Sequence, residues 1–189
     1  MSVSPGTCPE GQLRDAVVFD LIGVLARPSW RELCVEPDLA AWRRLRVGAL
    51  AEAEFWPAEL AAAWRAALGL RADRLALLAR LRARGHAIAV ASNFAREWLP
   101  AVQARTPPGL VDRWIVSGEV GAAKPDPRFW AALLRHVPAG SLVVDDQRGN
   151  CEAAARAGLR ALWVPSGAGF TARLEAALAG AGHAAADAG

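Results

Sequence analysis

The spacing of apolar residues along this chain changes several times. Ala16-Val17-Val18-Phe19 is a short apolar run closed by Asp20, the pattern of a strand buried within a parallel sheet. Gly23 then allows a tight turn. From about Ser29 to Leu70 the spacing is helical, with Trp30, Trp42, Trp56 and Trp64 among Ala, Leu and Arg. Pro37, Gly48, Pro57 and Gly69 divide that stretch into short helices. Arg71 to Arg84 reads as an amphipathic helix, with Leu75, Leu78 and Leu81 inward and Arg74, Arg80, Arg82 and Arg84 outward. Gly85 closes it at C′.

The remainder alternates. Strands are predicted over Ala87–Ala91, Trp114–Val116, Leu142–Val144 and Ala161–Val164. Helices are predicted over Glu97–Arg105, Arg128–His136, Asn150–Ala157 and Thr171–Ala179. Residues 1 to 14 read as a loose leader, and the Ala/Gly-rich stretch from Gly180 as a fraying tail. Strands alternating with helices imply a parallel sheet covered on both faces. In such sheets ligands bind beyond the carboxyl ends of the strands. Asp20, Ser92-Asn93 and Asp145-Asp146 all stand at predicted strand ends.

Composition narrows the function. At 189 residues and 53% hydrophobic, the chain can bury the core of one domain. The net charge of +3 comes from scattered arginines, which argues against a nucleic-acid surface. No run approaches the roughly 18 apolar residues of a membrane span, and the N-terminus lacks a signal-peptide pattern. Cys8, Cys34 and Cys151 have no metal-ligand spacing and are odd in number, which suits a reducing cytoplasm better than a disulfide framework. Lys124 is the single lysine among 22 Lys and Arg residues. A compact ammonium at one position of an Arg-rich chain points to a need for that shape.

The strand-end residues suggest chemistry. A carboxylate at Asp20 can attack phosphorus or carbon; a turn-capping Asp is the plain alternative. Asp145 and Asp146 offer oxygen ligands of the kind Mg²⁺ prefers, or else a solvated loop. Three neighbouring carboxylates repel unless a cation offsets them, and Mg²⁺ with Lys124 would do so. Ser92 and Asn93 are placed to hold an anion, to cap the following helix, or both.

Four segments carry a family resemblance. Val17-Val-Phe-Asp-Leu-Ile-Gly-Val-Leu25, Ala89-Val-Ala-Ser-Asn93, Lys124-Pro-Asp-Pro127 and Leu142-Val-Val-Asp-Asp146 resemble, in order, motifs I to IV of the haloacid dehalogenase-like (HAD) superfamily. Ser117-Gly-Glu-Val-Gly121 and Asn150 resemble the subfamily of the soluble epoxide hydrolase phosphatase domain and small sugar-phosphate phosphatases. The resemblance implies an α/β fold: a three-layer Rossmann-like parallel sheet, helices on both faces, and a short helical cap inserted after the first strand. It divides the chain into a flexible leader (1–14), a core (15–27 and 71–179), a small helical cap (28–70) and a flexible tail (180–189).

It also implies roles. Asp20 would be the nucleophile. Ser92 would bind the transferred group with Asn93 and Gly23, and Lys124 would neutralise charge. Mg²⁺ would be held by Asp20, Asp146, Asp145 and the backbone carbonyl of Ile22. The implied activity is Mg²⁺-dependent hydrolysis of a small phosphorylated metabolite through an aspartyl-phosphate, in the cytoplasm, with a homodimer left open and neither nucleic acid nor membrane as partner. Ile22 departs from the pattern, because phosphatases of the superfamily usually carry there an Asp that protonates the leaving group. Two alternatives follow: a dehalogenase or other metal-independent use of Asp20, and a catalytically impaired or repurposed domain that binds a ligand or partner. A phosphonatase-like variant needs a cap lysine, and the stretch 28–70 contains none. The cap tryptophans are expected to pack inside a small helical subdomain.

Overall fold

The computed structural model describes residues 12–27, 36, 38–165 and 169–186. Trp30, the 1–11 part of the leader and residues 187–189 lie outside the described residues. Five strands form one parallel sheet: β1 (Ala16–Phe19), β4 (Ala87–Ser92), β5 (Arg113–Val116), β6 (Leu142–Asp145) and β7 (Arg160–Trp163). Their spatial order is β5-β4-β1-β6-β7, with every neighbouring pair parallel. A two-stranded antiparallel ribbon pairs β2 (Ala26–Arg27) with β3 (Gly69–Leu70). It ties together the two points where the chain leaves the core and returns from the helical insert.

Side-chain alternation along β1 divides the interior. Val17 and Phe19 enter one buried cluster, and Ala16 and Val18 the other, as the two-residue period of a strand requires. The first cluster takes Leu77, Leu78 and Leu81 of α4 (Ala72–Ala83); the second takes Phe129 and Leu133 of α7 (Pro127–Leu133). The sheet is therefore covered on both faces, as α/β patterning predicts.

The insert contributes α1 (Leu39–Leu45), α2 (Glu52–Phe55) and α3 (Ala58–Ala67). Its tryptophans do not form a separate subdomain core. Trp42 and Trp56 stack on Trp98, with ring centroids 5.6 and 5.4 Å away, and Trp64 lies 5.2 Å from it. Trp98 belongs to the 3₁₀ turn Arg96–Trp98 that follows β4. Insert and sheet thus share one continuous buried cluster.

Four expectations differ from the structure. In α4, Leu77 is fully buried and Leu75 only partly, so the inward stripe is shifted. Arg74 points inward at 9% exposure, because its Nε donates to the Val24 carbonyl at 3.0 Å and its guanidinium lies 3.7 Å over the Phe170 ring. The last leader residues are anchored, with Gln12 Nε2 donating to the Leu134 carbonyl and the Leu13 amide to that of His136. The final helix α9 (Phe170–Ala186) continues through the first part of the expected tail. The other helices are α5 (Leu99–Gln103), α6 (Ser117–Val120) and α8 (Arg148–Arg156). Among the described residues, no helix is long and apolar enough to cross a membrane.

Candidate active site

The carboxyl ends of β1, β4 and β6 open into a cleft of about 490 Å³ whose lining includes Asp20, Ile22, Gly23, Ser92, Lys124 and Asp146. Asp20 follows directly on β1, and its backbone amide donates to the Val144 carbonyl at 2.9 Å. Its carboxylate is 7% exposed. Lys124, on the loop between α6 and α7, reaches under it. Lys124 Nζ donates to Asp20 Oδ1, Asp145 Oδ2 and the Ala91 carbonyl, each at 2.7 Å. All three ammonium protons are therefore used, a fit that suits a compact tetrahedral cation.

Asn93 fixes Lys124 from the backbone side. Its Oδ1 accepts from the Lys124 amide at 2.7 Å and its Nδ2 donates to the Lys124 carbonyl at 2.9 Å. Asn93 also lines the cleft, so it joins the lysine loop to the place expected for substrate. Ser92 ends β4 at 2% exposure and lines the cleft. Gly23 lines it too, at φ +94°, where a side chain would be strained.

The two acids of β6 have separate tasks. Oxygens of Asp20, Asp145 and Asp146 lie within 4.8 Å of one another. Asp145 is fully buried, and its oxygens accept from Lys124, the Gln147 amide and Asn150 Nδ2, the last at 3.0 and 3.1 Å. Those bonds occupy both oxygens of Asp145, whereas Asp146 keeps an oxygen unpaired. Asp146 is half-buried, and its Oδ1 is buried without a partner among the described residues. Strand alternation places Asp145 under the site and Asp146 beside it.

Charge and burial compete here. The Asp20 carboxyl is pushed up to about 6: burial raises it most, Lys124 offsets part of that rise, and Asp145 and Asp146 add to it. Burial also raises Asp146, assisted by Asp145. Burial would lower Lys124, but Asp20 and Asp145 outweigh that and hold it above the ordinary lysine range. Burial, with Asp145 nearby, lifts the Cys151 thiol to about 11, so this cysteine stays protonated and unreactive near neutrality.

A family model for haloacid dehalogenase-like hydrolases matches residues 30–158, more than half of the 189-residue chain. This chain belongs to that family. The fold of this HAD hydrolase is shared by solved structures of low identity. A HAD family enzyme of Bacteroides thetaiotaomicron superposes with a TM-score of 0.68 at 18% identity, covering 85% of this chain and 98% of that one. A predicted HAD-like hydrolase of Porphyromonas gingivalis gives 0.66 at 17% identity, covering 88% and 98%. The L-2-haloacid dehalogenase of Xanthobacter autotrophicus, with chloropropionic acid covalently bound, gives 0.59 at 22% identity, covering 79% and 77%. No curated protein sequence matches the chain.

Some cleft-lining positions of this HAD hydrolase escape sequence reading. Arg27, Arg46 and Arg71 also line the cleft, as do Trp42 and Trp64. Each arginine is one of many in the sequence, and no local pattern sets it apart. Asn150, noted only as a subfamily feature, is the buried donor that orients Asp145.

Proposed function

We propose that this HAD hydrolase is a Mg²⁺-dependent phosphohydrolase acting on a small phosphorylated metabolite, with Asp20 as nucleophile. The observation that carries the reading is Asp146 Oδ1, buried beside Asp20 without a hydrogen-bond donor. A bare carboxylate oxygen next to a second carboxylate calls for a cation, and an all-oxygen donor set suits Mg²⁺. Asp20 and Asp146 would hold it, with the Ile22 carbonyl as a further candidate. The bound ion would supply charge neutralisation for the phosphoryl oxygens.

The rest follows from the chain's own groups. Lys124 occupies Asp20 Oδ1, so Oδ2 is the oxygen available to attack phosphorus. Attack forms an Oδ2–P bond and expels the leaving oxygen, and water then cleaves the aspartyl-phosphate to restore Asp20 and release phosphate. Lys124 offsets part of the rise that burial causes and holds the Asp20 carboxyl at about 6, so it is mostly ionised near neutrality. The Ser92 hydroxyl would donate to the transferred phosphoryl group. Among the described residues the lining acids are Asp20 and Asp146, so none of them is a spare acid for the leaving group, and substrates whose leaving group is stable as an anion are favoured. The Bacteroides relative, crystallised with magnesium and inorganic phosphate, supports the reading.

The test is phosphate release from aryl and acyl phosphates with and without Mg²⁺, together with the intact mass of rapidly quenched protein. Mg²⁺-dependent release and a phosphoryl adduct that vanishes in Asp20→Asn are expected. Ile22 favours one second reading, attack by Asp20 on a halogen-bearing carbon, because halide leaves without a proton. Mg²⁺-independent halide release from a 2-haloacid, with no phosphate release, would establish that reading instead.

A further inference from the structure

The floor of the cleft accounts for Lys124 and the acids at the strand ends, but another part of its wall carries a cation with no acid partner among the described residues. Leu39, Trp42 and Arg46 line the cleft together. They are three and four residues apart on α1 and its C-cap, the spacing that puts side chains on one helix face. Arg46 is half-buried and its Nε is buried without an acceptor. Among the described residues its side chain has no ion pair. Arg71, also on the cleft, spends its guanidinium on Asp73.

An unpaired, partly desolvated guanidinium is costly unless an anion completes it. Burial, together with Arg43, already lowers the Arg46 pKa, which expresses the same unmet demand. Asp20 and Asp146 are the lining acids, and both stand at the strand ends. Among the described residues, the cleft wall therefore supplies no anion for Arg46.

The core presets the position of Arg46. Ser117 Oγ donates to the Arg46 carbonyl and accepts from the Phe94 amide at 2.9 Å. Phe94 lies two residues beyond Ser92. Close packing holds the next turn as well, since a β-carbon on Gly48 would lie 2.8 Å from the Gly118 carbonyl, and one on Gly118 would lie 2.6 Å from the Arg96 amide nitrogen. The Ser117-Gly118 pair thus locks the insert against the loop that follows β4.

We infer that Arg46 receives a second anionic group of the substrate, so that the preferred substrates carry a carboxylate or a second phosphate in addition to the phosphoryl group that is transferred. The guanidinium fork matches either anion in a bidentate fashion. The inference rests on the phosphohydrolase reading above and names its substrate class.

The test uses non-hydrolysable probes, so that binding is read apart from turnover. Propyl phosphonate, its terminal-carboxylate analogue and its bisphosphonate analogue are titrated calorimetrically into the Mg²⁺-loaded protein. The wild type should bind one or both doubly anionic probes about tenfold or more tightly than propyl phosphonate, the scale of one charge-assisted hydrogen-bonded contact. The analogue that gains identifies the anion. Arg46→Met, which keeps a stem of similar length, should bring the ratio close to one. Arg46→Lys should keep part of it, and Ser117→Ala should reduce it with no change of charge. Equal affinities in the wild type, or a preference that survives in Arg46→Met, overturn the inference and leave the phosphohydrolase reading intact. Binding of none of the three probes, with no phosphate released from an aryl phosphate, overturns both.

Discussion

Gly23 stands against Asp146 so closely that a β-carbon on Gly23 would lie 2.5 Å from Asp146 Oδ2. The glycine meets two demands at once: a backbone at φ +94° and room for the carboxylate proposed to hold Mg²⁺. Gly23→Ala should therefore push Asp146 away and strain the turn, at a cost of about 1–2 kcal/mol in stability. Thermal melts should show the loss, and a Mg²⁺ titration should show weakened binding. Wild-type Mg²⁺ affinity in Gly23→Ala would separate Asp146 from the metal.

Lys124→Arg should lose activity by about a hundredfold or more although the charge is kept, since displacements of about 1 Å have effects of that size. The ammonium donates to three oxygens at 2.7 Å, and a planar guanidinium cannot occupy the same space. Near-normal rates in Lys124→Arg would show that charge alone is what the site requires of this residue.

Asp20→Asn tests the charge balance through pH. Without Mg²⁺, the folded Asp20 carboxyl sits near 6 against an ordinary 3.8. The folded state then binds the proton more tightly than the unfolded chain does. The contribution is fully present below pH 3.8 and is lost as the pH rises through about 6. Asp20→Asn has no such loss, so its melting temperature relative to the wild type should rise across that interval in EDTA. Added Mg²⁺ should narrow the gap at the higher pH by stabilising the wild type. Parallel curves for the two proteins across the interval would contradict this balance.

Asn150→Ala should destabilise the fold by about 1–3 kcal/mol, the scale for leaving a buried carboxylate short of a donor. Asn150 bonds both oxygens of Asp145, which in turn accepts from Lys124. Its loss should act through Asp145 on Lys124, lowering kcat more than it raises KM. A change confined to KM would mean that Asn150 meets the substrate itself.

Ile22→Asp should speed hydrolysis of an alkyl phosphate more than that of an aryl phosphate. General acid–base help is worth roughly 10²- to 10⁴-fold, and only the alkyl leaving group needs the proton badly. Equal rates on both esters in the wild type, with no gain in Ile22→Asp, would show that another group already serves as the acid.

The parts of the site legible in the sequence are those set by where a strand ends. A strand buried on both faces is apolar throughout, so its first polar residue marks the rim of the sheet. Asp20, Ser92 and the Asp145-Asp146 pair were found that way, and the lone Lys124 by its contrast with an Arg-rich background. The hold of Asn93 on the Lys124 backbone is not legible in the same way, because an amide at a loop suits substrate and backbone equally well until the facing loop is known. Arg46 offered no signal at all: in Trp42-Arg43-Arg44-Leu45-Arg46, three arginines read alike, and only the docking of α1 on the core chooses the one that faces the cleft.

What the sequence by itself determined is the set of short-range patterns: the strand-helix alternation, the order of four motifs, and the turn at Gly23. These depend on the period of apolar residues and on backbone preferences that act over a few positions. Only the tertiary structure decided which acid of the β6 pair turns under Lys124, why Arg74 points inward onto Val24 and Phe170, and that the insert tryptophans stack on Trp98 of the core. Those outcomes depend on partners tens of residues away in the chain. A side chain's neighbours along the sequence limit where it can point, but the groups packed across from it select the direction it takes.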